Sequence, residues 1–194
     1  MKSILVRAWM LGSIVALVGV LASRVATAQS VFSNEDRQGL KVSSDSIRHV
    51  GLGFALPTPG KNLTPSSALQ DQMAAMFGGE LPPELAVWAF QDTTEHFAFG
   101  LQVIGMPGLN EEKFRNYSRG MREGVSKLPL IIDFTVWDGN HRETRFVGQH
   151  PNGVYIGVRC VPSVKPHREY VVCIQTYSAE VTGLIKIGGG LTVY

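Results

Sequence analysis

Apolar positions along this chain change period several times, and each change marks an element. An uncharged, mostly apolar run covers 8–21, and a polar, aperiodic stretch over 29–46 follows, which reads as a flexible lead-in. Residues 50–56 alternate weakly and stop at Pro57, the pattern of a first strand; Pro57, Pro59 and Gly60 then break regular structure. Leu69, Met73 and Met76 share one face of a short helix, with Thr64 as its cap, Pro65 in its first turn and Gly78-Gly79 as its stop. Runs rich in aromatic and aliphatic residues at 85–90 and 97–106, separated by the polar stretch 91–96, predict a hairpin with a long loop.

The strongest helical pattern lies at 110–127. Asn110 caps it, Glu111 and Glu112 occupy the first turn where the helix dipole favours negative charge, and Phe114, Tyr117, Met121, Val125 and Leu128 make a continuous apolar face. Glu111 and Arg115 are spaced to pair on the outer side. Strand patterns at 130–137, 141–148, 154–161 and 169–177 then form a meander, with Asp138-Gly139 and Pro151-Asn152-Gly153 as turns. The prediction is an α+β fold: an antiparallel sheet of six or seven strands packed by one long and one short helix.

The first run is an export address rather than a fold element. Lys2 and Arg7 precede it, and Ala26-Thr27-Ala28 ends it with the small-x-small pattern cut by signal peptidases. Arg7 and Arg24 bracket only 16 residues, short of the 20 or so that a spanning helix needs. The expectation is a signal peptide at 1–28 cleaved after Ala28, the lead-in at 29–46, one domain at 47–194, and a periplasmic or secreted protein with no stable membrane span. Cleavage removes three of the 18 basic residues and leaves 15 against 16 acids, so no nucleic-acid footprint remains. A local excess of base persists over 141–170 (Arg142, Arg145, Arg159, Lys165 and Arg168 against Glu143 and Glu169), either a solvated strand face or a weak anion- or partner-facing patch.

Cys160 and Cys173 survive cleavage. In an oxidising compartment an even pair usually joins, and antiparallel pairing of 154–161 with 169–177 can set the two opposite each other. Reactive chemistry is otherwise sparse. No nucleophile elbow, metalloprotease helix, phosphate loop or calcium loop is present. The histidines at 49, 96, 141, 150 and 167 sit beside turns or strand ends without ligand spacing, so neither a metal nor a cofactor is expected. The cluster 138–143 holds an acid, an imidazole and a guanidinium, but a turn explains its first three residues, and alternation sends His141 and Arg142 to opposite faces. Trp88 and Trp137 are candidates for lining a pocket, with core packing as the plainer role.

The stretch Gly51-Leu52-Gly53-Phe54-Ala55-Leu56-Pro57, followed by a strand pair, a helix and a meander, resembles the Mog1/PsbP-like families across 50–177. The chain departs from them in having Thr58-Pro59-Gly60 where they often place Gly-Trp, and in its glycine-rich end. The resemblance implies an α/β/α sandwich used for binding, in families that include photosystem assembly proteins, a Ran-binding import factor and bacterial envelope proteins. It carries no catalytic set to this chain. Three functions follow as expectations: an exported non-catalytic binding module whose partner is another envelope or secreted protein, a carrier or sensor of a small apolar ligand, and a hydrolase with an unfamiliar site.

Overall fold

The computed structural model describes residues 32–75, 77–94, 96–126, 131–136, 143–151, 153–163, 169–180 and 190–194. The expected signal peptide and its cleavage site lie outside them, as do Met76, Leu128, Trp137, Asp138 to Arg142 and His167. In chain order the elements are α1 (Asn34–Gln38), β1 (Leu40–Val42), β2 (Ser46–His49), β3 (Phe54–Pro57), β4 (Thr64–Pro65), α2 (Ser67–Ala75), β5 (Leu85–Asp92) and β6 (Phe97–Gly105). They continue with α3 (Glu111–Val125), β7 (Ile131–Val136), β8 (Thr144–Gln149), β9 (Tyr155–Pro162), β10 (Tyr170–Ser178) and β11 (Thr192–Val193).

The class is α+β, with two antiparallel sheets among the described residues where the sequence predicts one. The larger has seven strands in the order β4-β5-β6-β10-β9-β8-β7, and the smaller has four in the order β1-β2-β3-β11. The reason is visible in β5, β6 and β10. Every residue of β10 is buried, as are all but one of β6, so these strands are apolar on both faces and need a cover on each. One face meets α2 and α3 in a core that includes Leu69, Met73, Val87, Ile104, Phe114, Tyr117, Met121 and Ile156. The other meets the four-stranded sheet through Ile47, Phe54, Leu56, Phe90, Phe99, Leu101, Val172 and Ile174. The meander β7 to β10 forms as expected, and β10 then docks on β6, joining hairpin and meander into one sheet.

Three local expectations change. The segment read as a lead-in of low order is built from residue 32 onward. Phe32 is buried, and Ser33 and Asp36 form a reciprocal capping box that starts α1. Arg37 donates to the carbonyls of Pro82, Pro83 and Leu85, and Trp88 Nε1 donates to the carbonyl of Arg37, so α1 is strapped to β5. The strand read over 50–56 begins only at Phe54. Residues 50–53 are the turn of the β2–β3 hairpin, where Gly53 at φ 61° supplies the left-handed conformation that a side chain resists. Thr64 and Pro65 pair with Gln91 and Phe90 as an edge strand, and the Ser66 hydroxyl instead accepts the Leu69 N–H at the start of α2.

The long helix follows its pattern. The Asn110 side chain accepts the Lys113 N–H at 2.8 Å, Phe114, Tyr117 and Met121 are buried, and the Glu111–Arg115 pair lies exposed at 2.8 Å. Such an exposed pair contributes a few tenths of a kcal/mol at most, so burial of the apolar face is what holds α3 to the sheet.

Candidate functional site

Alternation along β6 and β10 decides which side chains lie under the helices. On β6 these are Ala98, Gly100, Gln102 and Ile104; on β10 they are Val171, Cys173, Gln175 and Tyr177. The register pairs Cys173 with Gln102 and Gln175 with Gly100. Val87 and Ala89 flank Gln102 and Gly100 from β5, while Cys160 and Val158 flank Cys173 and Gln175 from β9. Two carboxamides therefore project, in consecutive rows of the same face, from adjacent central strands into an otherwise mostly apolar layer.

Both glutamines are 1% exposed. Among the described residues neither Oε1 nor Nε2 of Gln102 has a hydrogen-bond partner, and Nε2 of Gln175 has none. Gln175 Oε1 accepts from the Tyr177 hydroxyl at 3.1 Å. Leaving a buried polar group unpaired costs about 1–3 kcal/mol, so three such atoms in one place are a concentrated deficit. The floor beside them is low. Gly100 and Ala98 follow each other on the same face, and Met73 of α2 descends into the space; a side-chain carbon built on Gly100 would stand 3.3 Å from both the Met73 sulfur and its methyl. Methionine is the side chain most able to fill such a gap and to leave it.

Cys160 and Cys173 close the other side. They face each other in the β9–β10 register and are joined, with an S–S distance of 2.11 Å and Cα atoms 4.1 Å apart. Both are fully buried, and the Tyr117 hydroxyl of α3 lies 3.4 Å from the Cys173 sulfur and 3.7 Å from that of Cys160. Burial pushes the Tyr117 and Tyr177 phenols well above the ordinary tyrosine value of 10.0. They stay neutral and act as hydrogen-bonding groups rather than bases. Among the described residues this interior offers amides, phenols and a disulfide, groups that can hold a molecule through hydrogen bonds.

The other candidates fall elsewhere. His49 is buried among Phe54 and Trp88 with both nitrogens engaged, Nε2 on the Asp36 carbonyl at 2.6 Å and Nδ1 accepting the Leu52 N–H at 3.0 Å. Trp88 thus packs between the sheets. His96 is exposed in the β5–β6 turn at φ 54°, and His150 is half-buried after β8; His141 and His167 lie outside the described residues. Of the polar cluster 138–143 only Glu143 is described. It pairs with Arg145 at 2.5 Å and with Arg159 at 2.8 Å, so two arginines of the basic stretch share one buried carboxylate. Arg159 also donates to the Leu191 carbonyl, tying β9 to the C-terminal residues. Among the described residues no group of three or more His, Cys, Asp or Glu side chains is placed to hold a metal, and no helix is long and apolar enough to cross a membrane.

The sequence pattern alone does not single out Gln102 and Gln175. The available signal is a lone glutamine in mid-strand: Gln102 stands between Leu101 and Val103, which places a carboxamide in the core whichever face it takes, while Gln175 stands between Ile174 and Thr176 in an otherwise mostly apolar run. No family model, no curated protein and no solved structure matches the chain.

Proposed function

We propose that this chain is an exported, non-catalytic binding module that takes a small molecule between its helices and its seven-stranded sheet. The observation that carries the reading is the set of three unpartnered amide atoms on Gln102 and Gln175, each side chain 1% exposed. The export address at 1–28 and the Cys160–Cys173 bond in a chain with no other cysteine fit an oxidising compartment. The neutral phenols and the engaged imidazole of His49 favour holding over turnover. Of the small-molecule readings, a polar ligand is favoured over the apolar one that the sequence offers as an alternative, since an apolar molecule in this place leaves the amides as unpaired as before.

Native mass spectrometry on protein recovered from an exporting host tests the reading. The expected result is a small-molecule adduct, or one acquired from envelope extract, that Gln102→Leu abolishes. A bare mass before and after incubation with extract contradicts it.

A further inference from the structure

The geometry points to the class of ligand: an uncharged molecule presenting an amide-like edge, a carbonyl next to an N–H, as in a lactam, a primary carboxamide or a cyclic imide. This rests on the binding reading above and deepens it. The free atoms dictate the complement. Gln102 offers one donor and one acceptor on a single planar group, and Gln175 offers one donor because its oxygen already takes the Tyr177 hydroxyl. A ligand carbonyl has two lone pairs, one for each glutamine N–H, and a neighbouring ligand N–H answers the Gln102 oxygen. One amide edge can therefore give each of the three atoms a partner.

Charge separates this class from its nearest rivals. The cross-strand neighbours of Gln102 are Val87 and Cys173, and those of Gln175 are Gly100 and Val158, none of them charged. The helix groups that reach this layer include Met73 and Tyr117, which carry no charge near neutral pH. A carboxylate would be buried without a counter-charge, which costs several kcal/mol. A hydrocarbon would leave the amides unpaired. Size follows from the roof: Met73 sits at contact distance over Gly100, so the occupant displaces a thioether and is of comparable bulk.

Three probes test the class: 2-pyrrolidone for the amide edge, acetate for a carboxylate and cyclopentane for a hydrocarbon of similar size. Each is titrated into the exported, disulfide-intact protein while the side-chain NH₂ resonances of Gln102 and Gln175 are followed by NMR. The expected result is a saturable shift of both resonances with 2-pyrrolidone, about tenfold or more tighter than with acetate, the margin that an unpaired buried charge of 1.4 kcal/mol or more imposes. The Gln102→Leu variant is expected to lose the response in Gln175; where it does not fold, Gln175→Met is read through Gln102 instead. Acetate binding as tightly as 2-pyrrolidone, or cyclopentane shifting the same resonances, overturns the amide class while leaving the interior binding site standing. No response to any of the three overturns both.

Discussion

The two faces of the seven-stranded sheet are built on different rules. Against the four-stranded sheet lie rings and branched aliphatics: Phe90 stacks on Phe99 at 5.2 Å, Phe97 follows, and Phe54 meets Trp88 and His49. Polar groups on that side are mostly tied off. Trp88 reaches the Arg37 carbonyl, His49 uses both nitrogens, and Thr176 donates to Gly157, leaving the Tyr170 hydroxyl as the unpartnered atom there among the described residues. Under the helices the same strands carry two glutamines with three free atoms, a glycine, alanines and a disulfide. The first face is packed to hold the fold. The second leaves three amide atoms unpartnered among the described residues, a local departure of the kind expected of a functional site in an otherwise consistent structure.

Substitutions measure that contrast. Phe99 is fully buried in the ring stack, so Phe99→Ala should cost about 3–5 kcal/mol in urea unfolding, from lost burial and the cavity left behind. A loss under about 1 kcal/mol would show that this face is loosely packed after all. Under the helices one contribution is covalent. The Cys160–Cys173 bond closes a loop over a sequence separation of 13, and replacing both cysteines by alanine should cost roughly 3 kcal/mol. Because both sulfurs lie beneath Tyr117, the native protein should also resist reduction until α3 opens, measurable as thiol release that tracks unfolding.

Alkaline pH acts on the same side. Tyr117 and Tyr177 are held neutral by burial, with folded values raised above the ordinary 10.0. Above pH 10 the unfolded chain ionises these phenols while the folded chain keeps its protons. Their stabilisation is thus complete below that value and falls as pH rises through the alkaline range, by about 1.4 kcal/mol per group per pH unit. Tyr117→Phe should flatten the slope by one group. An unchanged slope in both Tyr117→Phe and Tyr177→Phe would place the phenols in contact with solvent.

What the sequence made legible was local. The face Phe114–Tyr117–Met121 and the Asn110 cap lie within one helix, and the facing of Cys160 and Cys173 follows from one hairpin register. What it hid was non-local. Nothing in β10 announces β6 as its neighbour, and that pairing is what makes a two-faced central sheet needing a second sheet as cover. The order in 33–42 depends on Arg37 and Trp88 binding across 48 and 51 residues of chain, which no periodicity in a polar stretch encodes. The candidate site was hidden for a related reason. Gln102 and Gln175 sit in separate strands and become neighbours only through that same β6–β10 register.

The stability of Gln102→Leu in ligand-free protein tests the contrast most directly. If the Gln102 amide is buried with no partner inside the protein, an apolar side chain of similar size removes its desolvation cost, and the urea midpoint should rise by the equivalent of about 1–2 kcal/mol. A fall of that size would mean that the amide is satisfied within the folded chain, and the helix-covered face would then be ordinary core.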